Sequence, residues 1–329
     1  MNLKLALSLL KILPAELAHS LALNGLKLLD KFGILSFIVK EIKNHELELL
    51  GMKFKNNIGT AAGLDKNGDY INSLGKLGFG FLEVGTVTPL PQSGNKKPRL
   101  FRVFNENAII NKMGFNNKGV DHLVKNLKTH KYNGIVGVNI GANKTSEGEK
   151  RIEDYLSCFR KVYEYADYIV VNISSPNTKN LRELHSADQL NRLLSAISKL
   201  SVELDNTKPI FLKISPDEND ESLKQIVEMV ESSIFSGLIA TNTTVDKTLL
   251  KESKYHNYEG GLSGTPLYNK SNQKLELINT IAEDMPLIAV GGVTNKETYS
   301  KKLESGADLV QIYTGFIIKG PSIVSEILN

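Results

Sequence analysis

Five asparagines, Asn111, Asn139, Asn172, Asn177 and Asn242, stand at or just beyond places where short apolar runs give way to polar residues. A primary amide both donates and accepts, so a set of them suits a flat ligand whose edge alternates N–H and C=O, as a pyrimidine's does. A single asparagine is more often a turn residue; several on neighbouring segments are harder to explain by turns alone. Two lysines add charge. Lys213 lies within the apolar run Ile210-Phe-Leu-Lys-Ile214, where an unpaired ammonium is costly. It therefore faces an anion, pairs with an acidic neighbour or snorkels to a rim. Lys66 ends Ala61-Ala-Gly-Leu-Asp-Lys66 with the same alternatives, and its place directly after an apolar run favours ligand contact. Gly291-Gly292 and Tyr313-Thr-Gly315 offer open backbone N–H groups of the kind that hold a phosphate, and Gly260-Gly-Leu-Ser-Gly264 offers a further flexible backbone surface.

These residues need elements that bring them to one place. Short runs rich in Val and Ile recur at 58–62, 81–85, 135–140, 168–173, 210–214, 237–241, 287–290 and 309–312, each followed by helical periodicity. Eight strand–helix units predict an α/β fold, a (β/α)8 TIM barrel, with continuous apolar strands buried on both faces. In that architecture the site lies at the carboxyl ends of the strands, which is where the amides, lysines and glycines above fall.

Ahead of the barrel, Lys4, Ser8 and Lys11 make one polar stripe on a helix otherwise covered by Leu and Ile, Pro14 breaks it, and a second amphipathic pattern runs to Phe32. Charges interrupt every window long enough to span a bilayer, and Lys11 breaks the apolar region a secretory signal needs. Two readings stay open: a helical hairpin packed on the barrel, or a helix pair lying in a membrane interface. The expected division is 1–45 for this extension and 46–329 for the barrel. Across 329 residues, 41% hydrophobic and 23% charged is a globular composition, and a net charge of +4 spread over scattered lysines argues against nucleic acid. The one cysteine, Cys158, rules out an intramolecular disulfide or a multi-cysteine metal cluster, and no metal is expected. Its helical setting reads as a small buried hydrophobe.

Read in order, Ala61-Ala-Gly-Leu-Asp-Lys66, Glu83-Val-Gly-Thr-Val-Thr-Pro89, Pro98-Arg-Leu-Phe-Arg102, Asn111-Lys-Met-Gly-Phe-Asn-Asn117, Asn172-Ile-Ser-Ser-Pro-Asn-Thr178, Thr241-Asn-Thr-Thr244, Gly260-Gly-Leu-Ser-Gly264 and Gln311-Ile-Tyr-Thr-Gly-Phe316 resemble the dihydroorotate dehydrogenase family over essentially the whole chain. The resemblance is to its quinone-linked, membrane-associated class, whose base is serine where the soluble class has cysteine. It implies oxidation of (S)-dihydroorotate to orotate in pyrimidine (UMP) biosynthesis, with Ser175 taking the C5 proton while C6 gives hydride to FMN. By the same resemblance Lys66, Asn111, Lys112, Met113, Gly114, Phe115, Asn172, Asn177, Asn242 and Thr243 would hold the substrate. Ala62, Gly63, Leu64, Asp65, Lys66, Thr86, Asn139, Asn172, Lys213, Thr241, Gly264, Gly292, Tyr313 and Thr314 would hold FMN.

Further implications are Thr178 and Phe115 at a proton exit, and His19 and Arg102 lining a quinone tunnel. Without the resemblance, His19 reads as a helix surface residue. The implied partners are a membrane quinone and a membrane surface reached through the N-terminal helices, at the cytoplasmic face of the cell membrane if the source is bacterial. No iron–sulfur subunit is expected. Thr60 departs from the family's usual aliphatic residue and is expected to adjust packing near the flavin. The competing readings are another FMN barrel oxidoreductase, such as a dihydrouridine synthase, and a non-catalytic, membrane-peripheral FMN-binding module.

Overall fold

The computed structural model describes residues 3–39, 42, 45–177, 186–205 and 207–329. Strands β3 (Ile58–Thr60), β4 (Phe81–Val87), β7 (Ile135–Ile140), β8 (Tyr168–Asn172), β9 (Ile210–Ile214), β10 (Gly237–Ala240), β12 (Leu287–Val290) and β13 (Leu309–Ile312) pair in parallel and close a barrel. The remaining strands are β1 (Leu47–Leu49), β2 (Met52–Phe54), β5 (Leu100–Val103), β6 (Ala108–Asn111) and β11 (Gly261–Gly264). The outer layer is α4 (Ile71–Gly75), α5 (Val120–Thr129), α6 (Glu149–Val162), α7 (Ala187–Glu203), α8 (Asp220–Glu231), α9 (Tyr268–Ile281), α10 (Lys296–Glu304), α11 (Thr314–Lys319) and α12 (Ile323–Leu328). The (β/α)8 expectation holds, and the strands fall where the apolar runs place them.

Strand period decides what fills the barrel. On β4, Leu82 and Val84 join the core beneath the helices, whereas Phe81 packs inside the barrel; β8 and β9 divide in the same way, with Tyr168, Val170 and Phe211 inside. The inner rings meet edge-on, Phe81 with Tyr168 at 6.4 Å and Tyr168 with Phe211 at 5.6 Å between centroids. Two residues further along each strand, on the same inward face, come Glu83 and Lys213. The lower barrel is therefore apolar and its upper floor is charged. Gly137 admits the Tyr168 ring, since a Cβ there would lie 2.0 Å from it. The hairpin of β1 and β2 turns through Leu50 and Gly51, both at positive φ (51° and 73°), and lays Phe54 against Phe81 under the barrel.

Thr60 stands just before Ala61 of the cleft wall. It is buried, and its Oγ1 accepts the Glu83 N–H at 3.1 Å, so the hydroxyl stitches β3 to β4 just past their last paired residues. Cys158 is fully buried on α6, and burial pushes its thiol well above the ordinary range. That leaves it a core residue, as its helical setting suggests.

The N-terminal segment forms α1 (Leu3–Ile12), α2 (Ala15–Lys31) and α3 (Leu35–Ile38), with the break at Pro14, whose carbonyl accepts the Ala18 N–H. Leu23 and Leu35 are buried in the same core cluster as the outer faces of the barrel strands. Outward, Ile12, Phe32 and Phe37 are 81%, 66% and 90% exposed, and Leu9, Leu17, Leu21 and Leu28 are about half exposed. The helices are thus packed on the barrel, and on their free side these apolar residues stand among Lys11, Ser20, Asn24, Lys27 and Lys31. No helix among the described residues is long and apolar enough to cross a membrane.

Candidate functional site

At the carboxyl ends of the strands lies a cleft of about 1000 Å³, its open mouth included. Its wall contains Ala62, Gly63, Lys66, Thr86, Asn111, Met113, Gly114, Phe115, Asn172, Ser175, Asn177, Lys213, Thr241, Asn242, Thr243, Gly264, Gly292, Tyr313 and Thr314, all expected from sequence. Four expected residues are not in the wall. Leu64 is in the hydrophobic core, because the chain turns inward after β3. Asp65 is buried with its carboxylate accepting the N–H groups of Asp69 and Tyr70 at 3.0 and 2.8 Å, so it shapes the loop that carries Lys66. Burial raises its pKa to about 6 despite those bonds. Lys112 turns outward to Glu259 at 2.9 Å. Asn139 sits below the wall, fully buried. Thr178 lies outside the described residues.

The floor is a connected polar network. Lys213 Nζ lies 3.8 Å from Glu83 Oε1, both essentially inaccessible to solvent. Burial lowers the Lys213 pKa, and the Glu83 carboxylate holds it up. Glu83 also accepts from Asn139 Nδ2 at 2.8 Å and from Gln311 Nε2. Asn139 Oδ1 in turn accepts from Thr86 Oγ1 at 2.5 Å and Asn172 Nδ2 at 3.1 Å. Asn139 thus orients two residues of the wall without reaching it. From Asn172 Oδ1 the network runs through the Ser174 hydroxyl to Asn242 Nδ2, each step 3.0 Å. Across the cleft mouth Asn177 Nδ2 donates to Asn111 Oδ1 at 3.2 Å. The five asparagines are therefore cross-braced, which fixes which edge each amide presents.

Glu83, Gln311, Ser174 and Ser263 were not singled out from sequence. Glu83 and Gln311 had a readable signature, a polar side chain inside an otherwise apolar strand, as Lys213 has. Here the two inward charges lie in the same layer of the barrel and meet across its interior. Gln311 lines the cleft, and its buried Oε1 has no hydrogen-bond partner among the described residues.

Ser175 is buried at 5% exposure after β8, and its Oγ accepts the Asn177 N–H at 3.3 Å. Among the described residues it makes no hydrogen bond to a carboxylate or imidazole. Lys66 Nζ donates to the Gly63 carbonyl at 2.8 Å. Burial, aided by the Arg99 charge, lowers its pKa to about 8, against the pull of Asp65 and Glu16. His19 is half-buried rather than a surface residue: it is hydrogen-bonded to the Leu64 backbone beside Lys66, and burial with the Lys66 charge lowers its pKa to about 4. It is neutral at pH 7.

Arg102 donates to the carbonyls of Leu10 at 3.0 Å, Lys11 at 3.2 Å and Leu13, capping the end of α1. Arg99 clasps Glu16 Oε1 of α2 with Nε and Nη2, both at 3.0 Å, and donates to the Asn95 carbonyl at 2.9 Å. Asn95 Nδ2 then holds the Asn177 carbonyl at 3.1 Å. The helices and the Ser175 loop are joined by three side chains.

Since Glu83 and Lys213 are both buried, Lys213→Ala should destabilise the fold by about 3–5 kcal/mol, because it strands a buried carboxylate. A Glu83→Gln, Lys213→Met double variant should recover most of that loss. Urea unfolding of the three proteins measures it, and a double variant no more stable than Lys213→Ala would mean the two charges do not depend on each other.

With the geometry established, comparison with known proteins names the family. A family model described as dihydroorotate dehydrogenase matches residues 45–329. Relatives named dihydroorotate dehydrogenase (quinone), from Vibrio cholerae serotype O1 and Aliivibrio fischeri, are 48% and 47% identical over 322 residues, covering 96% of this chain and 96% of each relative. The crystal structure of DHODH in complex with ferulenol from Eimeria tenella is similar with a TM-score of 0.83 at 32% identity, over 95% of this chain and 89% of that one. The family model spans the barrel strands and the cleft, and the chain belongs to the dihydroorotate dehydrogenase family.

Proposed function

We propose that this protein oxidises (S)-dihydroorotate to orotate, with FMN bound in the cleft and a quinone as final electron acceptor, as a step of pyrimidine (UMP) biosynthesis. The observation that carries the reading is that Ser175, Lys66 and the braced amides Asn111, Asn172, Asn177 and Asn242 line one cleft with Lys213. Family membership implies a flavin, and the residues present fit one. Gln311 Oε1 lacks a donor, and Lys213 offers a cation on the floor. At Gly264 and Gly292, at φ of 95° and 78°, a Cβ would collide with Asn107 and Tyr268, so both positions give the cleft wall bare backbone. When bound, the flavin supplies a two-electron acceptor.

The residues of the chain do the rest. Ser175 Oγ takes the C5 proton of dihydroorotate as its own hydroxyl proton leaves towards the exit, and the Asn177 N–H is placed to steady the partial negative charge the oxygen carries in between. Lys66 holds the substrate carboxylate, while Asn111, Asn177 and Asn242 hold the ring edge, so that C5 faces the serine. Met113, Gly114 and Phe115 cover the ring from the loop beyond β6 and limit water. Phe115 and Thr178 serve the proton's exit. Residues 1–45 act as the quinone- and membrane-facing extension and 46–329 as the catalytic barrel. His19 and Arg102 border the quinone path, and the exposed apolar side of the helices rests on the cytoplasmic face of the membrane, holding the protein there peripherally.

Anaerobic titration tests the central claim: dihydroorotate should bleach the yellow flavin, and failure to bleach would leave a binding module instead. Ser175→Ala should retain FMN and slow bleaching by about 10²–10⁴-fold; near-normal bleaching would remove Ser175 from the role. Because burial brings the Lys66 pKa down to about 8, the lysine is charged below that pH and loses its charge above it. Dihydroorotate affinity should therefore fall roughly ten-fold from pH 7 to pH 9, and Lys66→Met should flatten the profile. The combined change Ile12→Asp, Phe32→Asp and Phe37→Asp should abolish sedimentation with phospholipid vesicles while sparing flavin reduction. Retained sedimentation would place the membrane contact elsewhere.

A further inference from the structure

Lys302, on α10, is completely buried, a rare state for an ammonium. Among the described residues it makes no ion pair. Its Nζ donates to Ser271 Oγ at 2.6 Å and lies 5.6 Å from the centre of the Tyr268 ring. Burial lowers its pKa to about 7, and Glu276 is the carboxylate that holds it up. Glu276 is itself occupied, accepting from Ser305 Oγ at 2.9 Å and lying 3.7 Å from Lys301. A methionine would fill the same space without removing a charge from water, so the fold alone does not account for a lysine.

What lies in front of it accounts for one. Ser271 Oγ is 3.0 Å from the Tyr268 carbonyl and 3.3 Å from the Gly291 carbonyl. A Cβ on Gly291 would come within 2.8 Å of that hydroxyl, and one on Gly292 within 2.5 Å of the Tyr268 side chain. The ammonium therefore sits one serine behind the glycine turn that follows β12, and that turn lines the cleft. Tyr268 and Ser271 belong to the first turn of α9, whose N-terminal end adds positive potential in the same place.

We propose that Lys302 is a positioning residue for the flavin nucleotide's phosphate, supplying, through Ser271 and the Gly291-Gly292 turn, the positive charge that the open backbone N–H groups lack. The inference rests on the FMN reading above. It explains a buried cation on the outer side of the barrel wall, away from the reacting atoms, and it assigns the phosphate end to the β12 side of the cleft.

The test separates phosphate from ring. The full chain, dialysed free of flavin, is titrated with FMN and with riboflavin, and binding is followed by flavin fluorescence. The wild type should prefer FMN, and Lys302→Met should lose about ten-fold or more of FMN affinity with riboflavin affinity unchanged. Equal losses for both ligands, or no loss for either, would overturn the proposal, since a merely structural lysine moves both together. A wild type that binds FMN no better than riboflavin would overturn it together with the FMN reading, whereas a wild-type preference retained in Lys302→Met sinks the lysine's role alone. Should Lys302→Met not fold, the wild-type preference for FMN carries the test. It should fall by at least about five-fold from pH 7 to pH 9, a range in which the phosphate stays dianionic while Lys302 loses its proton. A flat preference across that range counts against the proposal.

Discussion

A carboxylate and an ammonium held inside a closed apolar barrel constrain everything above them. Glu83 and Lys213 arrive on inward faces of strands whose neighbouring inward residues are Phe81 and Phe211, so neither charge has water beneath it. Two such charges persist only if every remaining lone pair and proton finds a partner. Asn139, Gln311 and Tyr168 meet that demand around Glu83. In doing so they set the position of Asn172 and Thr86, and through Ser174 that of Asn242. The recognition surface of the cleft is thus the upper side of a network whose lower side neutralises a buried charge.

The same logic separates the two ends of the cleft. On the Lys66 side, charges are numerous and shared with the N-terminal helices: Arg99, Asp65 and Glu16 bear on the lysine's protonation, and the lysine in turn holds down that of His19. The extension is therefore part of the electrostatics of the substrate side as well as a cover for its flank, and the Glu16–Arg99–Asn95 link carries its position to Asn177. On the β12 side, by contrast, the wall is glycine backbone, and the nearest cation stands behind it on α10. Under the proposed assignment, a carboxylate at one end would meet a side-chain ammonium, and a phosphate at the other would meet backbone with a buried charge behind it.

The N-terminal helices meet two demands with two faces. Leu23 and Leu35 complete the barrel's outer core, whereas Phe32 and Phe37 remain in the open. The two sequence readings of this segment, a packed hairpin or an interfacial pair, are consequently not exclusive. One face answers to the protein and the other is free for an apolar surface.

Much of this was legible from the chain alone. Strand period and length located all eight barrel strands, and the barrel rule then gathered Lys66, Asn172, Ser175, Asn242 and Gly292 at one rim, because the carboxyl ends of parallel strands share a side by geometry. The family resemblance of the Asn172 to Thr178 string, with the only cysteine elsewhere, implied a serine base without any coordinates. What one dimension could not contain was partnership between strands. That Glu83 meets Lys213 and that Asn139 braces the wall instead of forming it depend on strands brought together by closure of the barrel, that Lys302 stands behind Gly291 depends on how α10 and α9 pack on it, and that Asp65 folds back on its own loop depends on a local turn that side-chain type alone does not reveal. Side-chain type is local and readable in order, but hydrogen-bond partners and burial are properties of the closed fold, where loss of water forces each polar group to find a specific neighbour.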